Sequence, residues 1–241
     1  MLLDADKEYE ATVRLGIETD TGDAEGTHIA TAPVDVSEDA IRVAIGRLTG
    51  EIEQIPPMYS ALKRDGKPLY EYARAGIEVE RAARKVTIHA LELLALDPDS
   101  FRVRVACSKG TYVRTLAIDL GRILGCGGHL TALRRTRIGP FSIDRGTTLE
   151  ALEAAAPEER DRLLAPADAL VSHFPRIELD AGQGALLLQG RVIAAPVCDP
   201  GPARIYCCGR FLGLGERGTD GQLCAKRLVS TNSPPVKVDN D

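Results

Sequence analysis

The sequence predicts an α+β domain followed by a small all-β domain. Two observations point to the α+β domain: strand-length runs with alternating apolar and polar side chains, and one strongly amphipathic helix between them. A third observation points to the all-β domain, because short β-like runs separated by Gly and Pro begin after Ala165 and Pro166. We therefore expect domains over 1–165 and 166–232, and a disordered tail over 233–241.

The strands and helices of the first domain follow from periodicity and turn residues. Apolar side chains alternate from Tyr9 to Leu15, which predicts a half-buried strand, and a capped amphipathic helix follows Ser37. The runs VTIHALELLAL and FRVRVACS predict two strands joined through Asp97 and Ser100.

The clearest segment is SKGTYVRTLAIDLGRILG, where a strand turns at glycine into a helix. The helix is predicted to begin near Thr111 and to end at Gly125. HLTALRRTRIGPFSI predicts another strand, and TTLEALEAA a short helix.

An irregular basic segment interrupts this domain at about 56–86. It is expected to start extended at its two prolines, to turn at Asp65 and Gly66, and to form a short helix from Leu69 to Arg74. We interpret the segment as an excursion from the core fold.

The composition is that of a folded protein, and its charge is unevenly distributed. The chain has 241 residues, 44% of them hydrophobic and 27% charged, with a net charge of −5, which excludes a disordered or uniformly basic protein. Residues 61–90 nevertheless hold 7 basic and 4 acidic residues, and residues 101–145 hold 9 and 2. A local basic face for nucleic acid is therefore possible.

The remaining bulk features favour a cytoplasmic protein. The N-terminus is charged, no apolar run reaches membrane-spanning length, and the six cysteines form no C-x-x-C pair. We therefore expect reduced thiols, no membrane and no metal.

Tyr112 and Arg114 are candidate functional residues, because the pattern places them at the first turn of a helix. Free backbone amides at such a position favour anions, and an arginine there can bind a carboxylate or phosphate. On spacing alone, a solvated arginine beside a tyrosine at the edge of the core is the favoured explanation.

Four blocks of sequence resemble the TruB family of bacterial tRNA pseudouridine synthases. They are EYEATVRLGIETDTGDAEG, GEIEQIPPMYSALKRDGKPLYEYARAGIEV, CSKGTYVRTLAIDLGRILGCGGHLTALRRTRIGPF and GRFLGLGE…GQLCAKRLV, and in this order they cover essentially the whole chain. The resemblance implies a mixed α/β catalytic domain with an insertion at about 56–86 that clamps RNA. It also implies that 166–232 form a PUA-like, RNA-binding domain.

The reaction that the resemblance implies is the isomerisation of a uridine in the T-loop of tRNA. The C1′–N1 bond breaks, the base rotates, and it is rejoined through C5 without cofactor or metal. The base must leave its stack to be reached. The implied partner is the T-arm stem-loop of tRNA, bound by a monomer.

The resemblance also assigns residues by position. Tyr9 matches a tyrosine that packs on the flipped base and is proposed to take part in proton transfer, and Tyr112 matches a tyrosine that contacts the substrate. Arg114 matches the arginine that pairs with the catalytic aspartate, and Leu133 matches a residue that lines the base pocket.

Basic residues in two parts of the chain are expected to contact RNA phosphates. They are Lys63, Arg64, Lys67, Lys109, Arg134, Arg135 and Arg137. The first three, with Tyr59 and Tyr70, fit a clamp, although a solvated hairpin is the alternative. Alternation along a strand should split the last three arginines between the two faces of the sheet.

The chain departs from the family in one block. The family's nucleophilic Asp lies in a G-x-L-D-P-x-A-x-G segment before the strand of Tyr9, whereas here Met1 falls just before that strand. The string at Asp97 shares only L-D-P and is interpreted as a turn. The 241 residues are therefore expected to form no pseudouridine for want of this Asp.

Three interpretations stay open at this stage. The chain is an enzyme of the family whose recorded start lies too late, a non-catalytic tRNA-binding or RNA-folding protein derived from the family, or a decayed fragment with exposed sheet edges. The DNA upstream of Met1 distinguishes the first from the others.

Overall fold

The computed structural model describes residues 2–195 and 199–229, which form two compact units divided between Gly146 and Thr147. The predicted tail at 233–241 lies outside the described residues. The strands and helices of the first unit are β1 Lys7–Leu15, β2 Ile17–Thr19, β3 His28–Thr31, α1 Glu38–Arg47, β4 Gly50–Gln54, β5 Lys63–Arg64, β6 Lys67–Pro68, α2 Leu69–Arg74, β7 Arg84–Asp97, β8 Ser100–Cys107, α3 Val113–Leu124, β9 Gly128–Ile138 and β10 Phe141–Ser142.

The first unit is built on a six-stranded antiparallel sheet with the order β10-β9-β1-β8-β7-β4. One face of the sheet packs against α1 and α3, where its core lies. The predicted strand at Tyr9 and the predicted β7–β8 hairpin are confirmed. β1 is half-buried because its alternate side chains, from Ala11 to Leu15, enter this core while those between them do not.

Helix α3 packs closely against the chain that follows it. It ends at Gly125, as predicted, with a left-handed φ of +80°. A Cβ atom on Gly121 would lie 2.2 Å from the backbone nitrogen of Gly128, so only glycine permits this approach. The packing fixes α3 relative to the start of β9.

The insertion between β4 and β7 has the predicted form. β5 and β6 make a short hairpin whose turn places Asp65 at φ +51° and Gly66 at φ +82°, the left-handed pair of a type I′ turn. Helix α2 follows at once, over the predicted residues. Tyr72 donates a hydrogen bond from its hydroxyl to the Arg64 carbonyl at 3.2 Å, which ties the hairpin to α2.

The second unit contains a five-stranded sheet with its own core. Its strands and helices are α4 Leu149–Ala154, α5 Pro157–Leu163, β11 Arg176–Leu179, α6 Ala181–Leu188, β12 Ile193–Ala194, β13 Gly201–Cys207, β14 Arg210–Arg217 and β15 Gln222–Leu228. The strand order is β11-β13-β14-β15-β12; among the described residues, β11 and β13 pair in parallel and the other pairs are antiparallel. From residue 166 onward, the described residues form the expected small sheet, to which helix α6 is added.

Candidate active site

Pairing of β1 with β9 places three predicted residues on the helix-covered face of the sheet. Tyr9 lies opposite Arg135, and Ala11 lies opposite Leu133. Directly opposed residues of antiparallel strands project to the same side, and both Tyr9 and Ala11 pack in the core on the helix side. Leu133 is still 48% exposed, so an apolar side chain faces open space beside Tyr9.

The other two arginines of β9 lie on the opposite face. Arg134 is paired in register with Glu10, and the Arg137 guanidinium forms an ion pair of 3.2 Å with Glu8. A register shift between Glu8 and Tyr9 produces this division. The prediction that the arginines split between the faces is confirmed, and Arg135 is the one that accompanies Tyr9.

The environment of Tyr9 keeps its hydroxyl protonated. Burial raises the pKa of the phenol above its ordinary value, and the nearby Cys107 thiol raises it further. The Arg135 guanidinium acts in the opposite direction, because its nearby positive charge favours the ionised form of the phenol. At neutral pH Tyr9 therefore offers a proton donor at the edge of the core.

Replacing Arg135 with methionine should raise the pKa of Tyr9 further, because a positive charge that stabilises the phenolate is lost. The measurement is a pH titration followed by NMR of ¹³C-labelled tyrosine. Arg134→Met is the matched control and should leave the Tyr9 titration unchanged, since Arg134 is on the opposite face. An unchanged Tyr9 titration in the Arg135 variant would disprove the contact.

The turn before α3 presents Tyr112 and Arg114. Gly110 adopts φ +82°, and the Thr111 hydroxyl donates to the Ser108 carbonyl at 3.0 Å. Tyr112 is the residue before the first helical residue, and its side chain makes no capping hydrogen bond. α3 packs on β1 and β9, and Val113 belongs to the core that Tyr9 adjoins, so the helix start lies close to the Tyr9 face.

Arg114 links three parts of the chain. Its guanidinium forms an ion pair of 3.0 Å with the Asp23 carboxylate and donates to the Tyr59 carbonyl at 2.7 Å. Both charged side chains are about a quarter to a third exposed. The family resemblance led us to expect a carboxylate at Arg114, and among the described residues Asp23 fills this place.

Asp23, in the loop between β2 and β3, is a site residue that the sequence pattern did not single out. One carboxylate oxygen, Oδ1, accepts from the Thr21 hydroxyl at 2.8 Å and from the Glu25 amide at 3.2 Å, which leaves Oδ2 for Arg114. The Leu130 amide holds the loop by donating to the Gly22 carbonyl at 3.0 Å. The signal in the sequence is the T-D-T-G-D string, whose turn residues suggest only a loop.

The predicted RNA contacts of the insertion lie on its surface. Lys63, Arg64 and Lys67 are exposed on the β5–β6 hairpin, and Arg64 donates to the Glu80 carbonyl. Lys109 is also exposed and forms an ion pair of 2.6 Å with Asp4.

Asp97 lies far from this site. Asp97 is the last residue of β7 and lies opposite Ser100 of β8. Ser100 also pairs with Arg14, which lies near the end of β1 that is farther from Tyr9. Arg14 is five positions along the strand from Tyr9, or about 17 Å at roughly 3.3 Å per residue. The interpretation of Asp97 as a turn residue is confirmed by its place in the hairpin.

Comparisons with protein families cover both units. Residues 1–113 match the model described as TruB family pseudouridylate synthase (N terminal domain). Residues 114–172 match the tRNA pseudouridylate synthase B C-terminal domain, and residues 175–229 match Pseudouridine synthase II TruB, C-terminal. Among residues 2–195 and 199–229, none of the helices combines the length and apolar character needed to cross a membrane.

Relatives and solved structures agree with these families. The chain is 75% identical over 231 residues to tRNA pseudouridine synthase B of Aromatoleum aromaticum, covering 96% of this chain and 75% of the relative. It is 58% identical over 233 residues to the protein of the same name from Azoarcus sp., covering 97% and 77%. The fold resembles a chain in the crystal structure of a Cbf5-Nop10-Gar1 complex, with a TM-score of 0.63 and 26% identity over 89% of this chain and 60% of that chain.

The fold and these relatives agree with one another. The chain, which contains the six-stranded sheet, resembles a solved structure in fold, and an identity of 75% to a named synthase extends over nearly the whole chain. The chain therefore belongs to the TruB family of tRNA pseudouridine synthases, enzymes that isomerise uridine to pseudouridine in tRNA.

Proposed function

We propose that the face of the sheet beside the start of α3 binds a flipped uridine from the T-loop of tRNA. One observation carries the proposal: β1–β9 pairing places Tyr9, Leu133 and Arg135 on the same face, next to the helix that presents Tyr112 and Arg114. An apolar surface bordered by phenols and guanidinium groups suits an unstacked base.

The proposed roles follow from the surroundings of each residue. Tyr9 packs on the base and, being protonated, supplies or relays a proton, while Tyr112 contacts the substrate. Leu133 lines the pocket with apolar surface. Arg114 matches the arginine that pairs with the family's catalytic aspartate, and its partly buried guanidinium suits that role because it makes strong charge-assisted hydrogen bonds; here its partner is Asp23.

RNA contacts outside the base pocket are proposed for the exposed cations. Lys63, Arg64 and Lys67 hold phosphates of the stem-loop, and Lys109 and Arg135 hold phosphates near the site. Roles for Arg134 and Arg137 stay predictions, because both lie on the other face of the sheet. The domain at 166–232 is proposed as a PUA-like module that binds a further part of the tRNA, and the protein as a cytoplasmic monomer without cofactor.

RNA affinity tests the binding part of this proposal. A labelled T-arm stem-loop should bind the chain by fluorescence anisotropy, and binding should weaken as salt rises. Lys63→Ala and Lys67→Ala should each weaken binding and reduce the salt slope by about 1. Arg42→Ala is the control, because Arg42 is also exposed but lies on α1, outside the insertion, and is paired with Glu38 at 2.6 Å. Equal effects of all three changes, or no binding at low salt, would contradict the proposed clamp.

Turnover separates a synthase from a binding protein derived from one. We expect the 241 residues to bind the stem-loop without forming pseudouridine, because Asp23 is the one described carboxylate bonded to Arg114 and the loop already holds it. Mass spectrometry of the RNA detects the product after chemical labelling. Turnover that Asp23→Asn abolishes would instead identify Asp23 as the nucleophile.

A further inference from the structure

Gln54 has a buried side-chain amide, and both of its polar atoms form hydrogen bonds to the backbone of Tyr112. It ends β4, immediately before the insertion, and its side chain is 1% exposed. Its Oε1 accepts from the Tyr112 amide at 3.0 Å, and its Nε2 donates to the Tyr112 carbonyl at 3.3 Å. Because a buried amide without partners is costly, this reciprocal pair fixes both groups.

The amide takes the place of a helix cap at the active site. The first amides of a helix lack partners within it, and a side chain usually supplies one. At α3 the Tyr112 side chain makes no capping bond, and Gln54 holds the Tyr112 backbone instead. A second link runs the other way, from the Arg114 guanidinium to the Tyr59 carbonyl. Residues 54–59 and 112–114 are thus joined twice.

We propose that Gln54 is a positioning residue for the uridine site. It holds the backbone of Tyr112 so that Tyr112 and Arg114 meet the flipped base, and it joins the root of the RNA clamp to the same helix start. This inference rests on the proposed function above. The position needs a neutral group that both donates and accepts: an ionised carboxylate cannot donate to the Tyr112 carbonyl, and an aliphatic chain leaves the Tyr112 amide unpaired.

A base-flipping measurement tests this role apart from overall RNA affinity. The probe is a T-arm stem-loop with 2-aminopurine next to the loop uridine, whose fluorescence rises when the neighbouring base leaves the stack. Gln54→Met should reduce the flipping equilibrium about tenfold, the equivalent of one lost hydrogen-bonded contact. Affinity by anisotropy should change by less than about threefold, because the phosphate contacts supply most of it. Ile41→Val, a mild change in the same core, controls for lost stability.

A second variant makes the test independent of folding. In Gln54→Glu the introduced carboxyl both donates and accepts while protonated, and only accepts once ionised. Burial raises the pKa of such a carboxyl, so we expect base flipping at about pH 5.5 that is lost at about pH 8. The unchanged chain should flip the base at both pH values.

The outcomes separate the inference from the proposed function. If the unchanged chain binds the stem-loop with no rise in fluorescence, the proposed function itself fails. If the unchanged chain flips the base and Gln54→Met does so equally well, or Gln54→Glu shows no dependence on pH, the role of Gln54 is overturned while the proposed function stands.

Discussion

Replacing Arg114 with methionine should abolish most base flipping, with a loss of about 100-fold in the flipping equilibrium, or about 2.7 kcal/mol. The change removes the ion pair with Asp23 and the bond to the Tyr59 carbonyl together. The free energy of unfolding of the first unit should also fall by about 2 kcal/mol, because the Asp23 carboxylate loses its charged partner. The loss of stability is smaller than for a fully buried ion pair, because both side chains are partly exposed to solvent.

The measurement is the 2-aminopurine signal, paired with thermal unfolding followed by circular dichroism. Arg104→Met provides the matched control, because Arg104 pairs with Glu92 at 3.2 Å on the opposite face of the same sheet. It should leave base flipping unchanged. If both variants lose base flipping to the same extent, the loss reflects damage to the fold, and the specific role of Arg114 in base flipping is contradicted.

Replacing Asp168 with alanine should lower the free energy of unfolding of the second unit by about 3 kcal/mol. Asp168 is buried, accepts a hydrogen bond from the Tyr206 hydroxyl, and forms an ion pair of 2.7 Å with Arg204. Without Asp168 these two partners lose their acceptor in a site that water hardly reaches. Glu216→Ala, which breaks an exposed ion pair with Lys226, should cost less than about 1 kcal/mol.

The Asp168 carboxylate also makes the stability of the second unit sensitive to acid. The Tyr206 hydrogen bond, followed by the Arg204 ion pair, holds the pKa of the Asp168 carboxyl below its ordinary value. A lowered folded-state pKa gives stability that is complete above the unfolded value of about 3.9 and is lost as pH falls through the folded-state pKa. Calorimetry at pH 7 and in this acidic range measures it. An Asp168→Ala variant with unchanged acid sensitivity would contradict this assignment.

The parts of the fold that local sequence determines were predictable. Alternation from Tyr9 to Leu15 predicts β1, and the Asp65-Gly66 turn predicts the hairpin of the insertion, because each depends on neighbouring residues. Helix α6 was overlooked because its glycines suggest a turn. Its signal is a capping box. The Asp180 side chain accepts from the Gln183 amide at 2.8 Å, and the Gln183 side-chain oxygen accepts from the Asp180 amide at 3.2 Å.

Half of the candidate site depends on contacts that no local pattern records. Asp23 meets Arg114 across 91 positions, and Gln54 meets Tyr112 across 58. Alternation predicted that the arginines of β9 divide between two faces, but the register shift beside Tyr9 decides that Arg135 shares its face. Side-chain chemistry identified the candidates, and tertiary pairing determined which of them meet.

Photo-cross-linking tests most directly whether the Tyr9 face binds the loop uridine. A T-arm stem-loop carrying 4-thiouridine at the target position is irradiated in complex with the chain, and the attached residue is identified by mass spectrometry. We predict attachment to Tyr9, Tyr112 or Leu133. Attachment at Arg104 or Arg137, on the other face of the sheet, would contradict it.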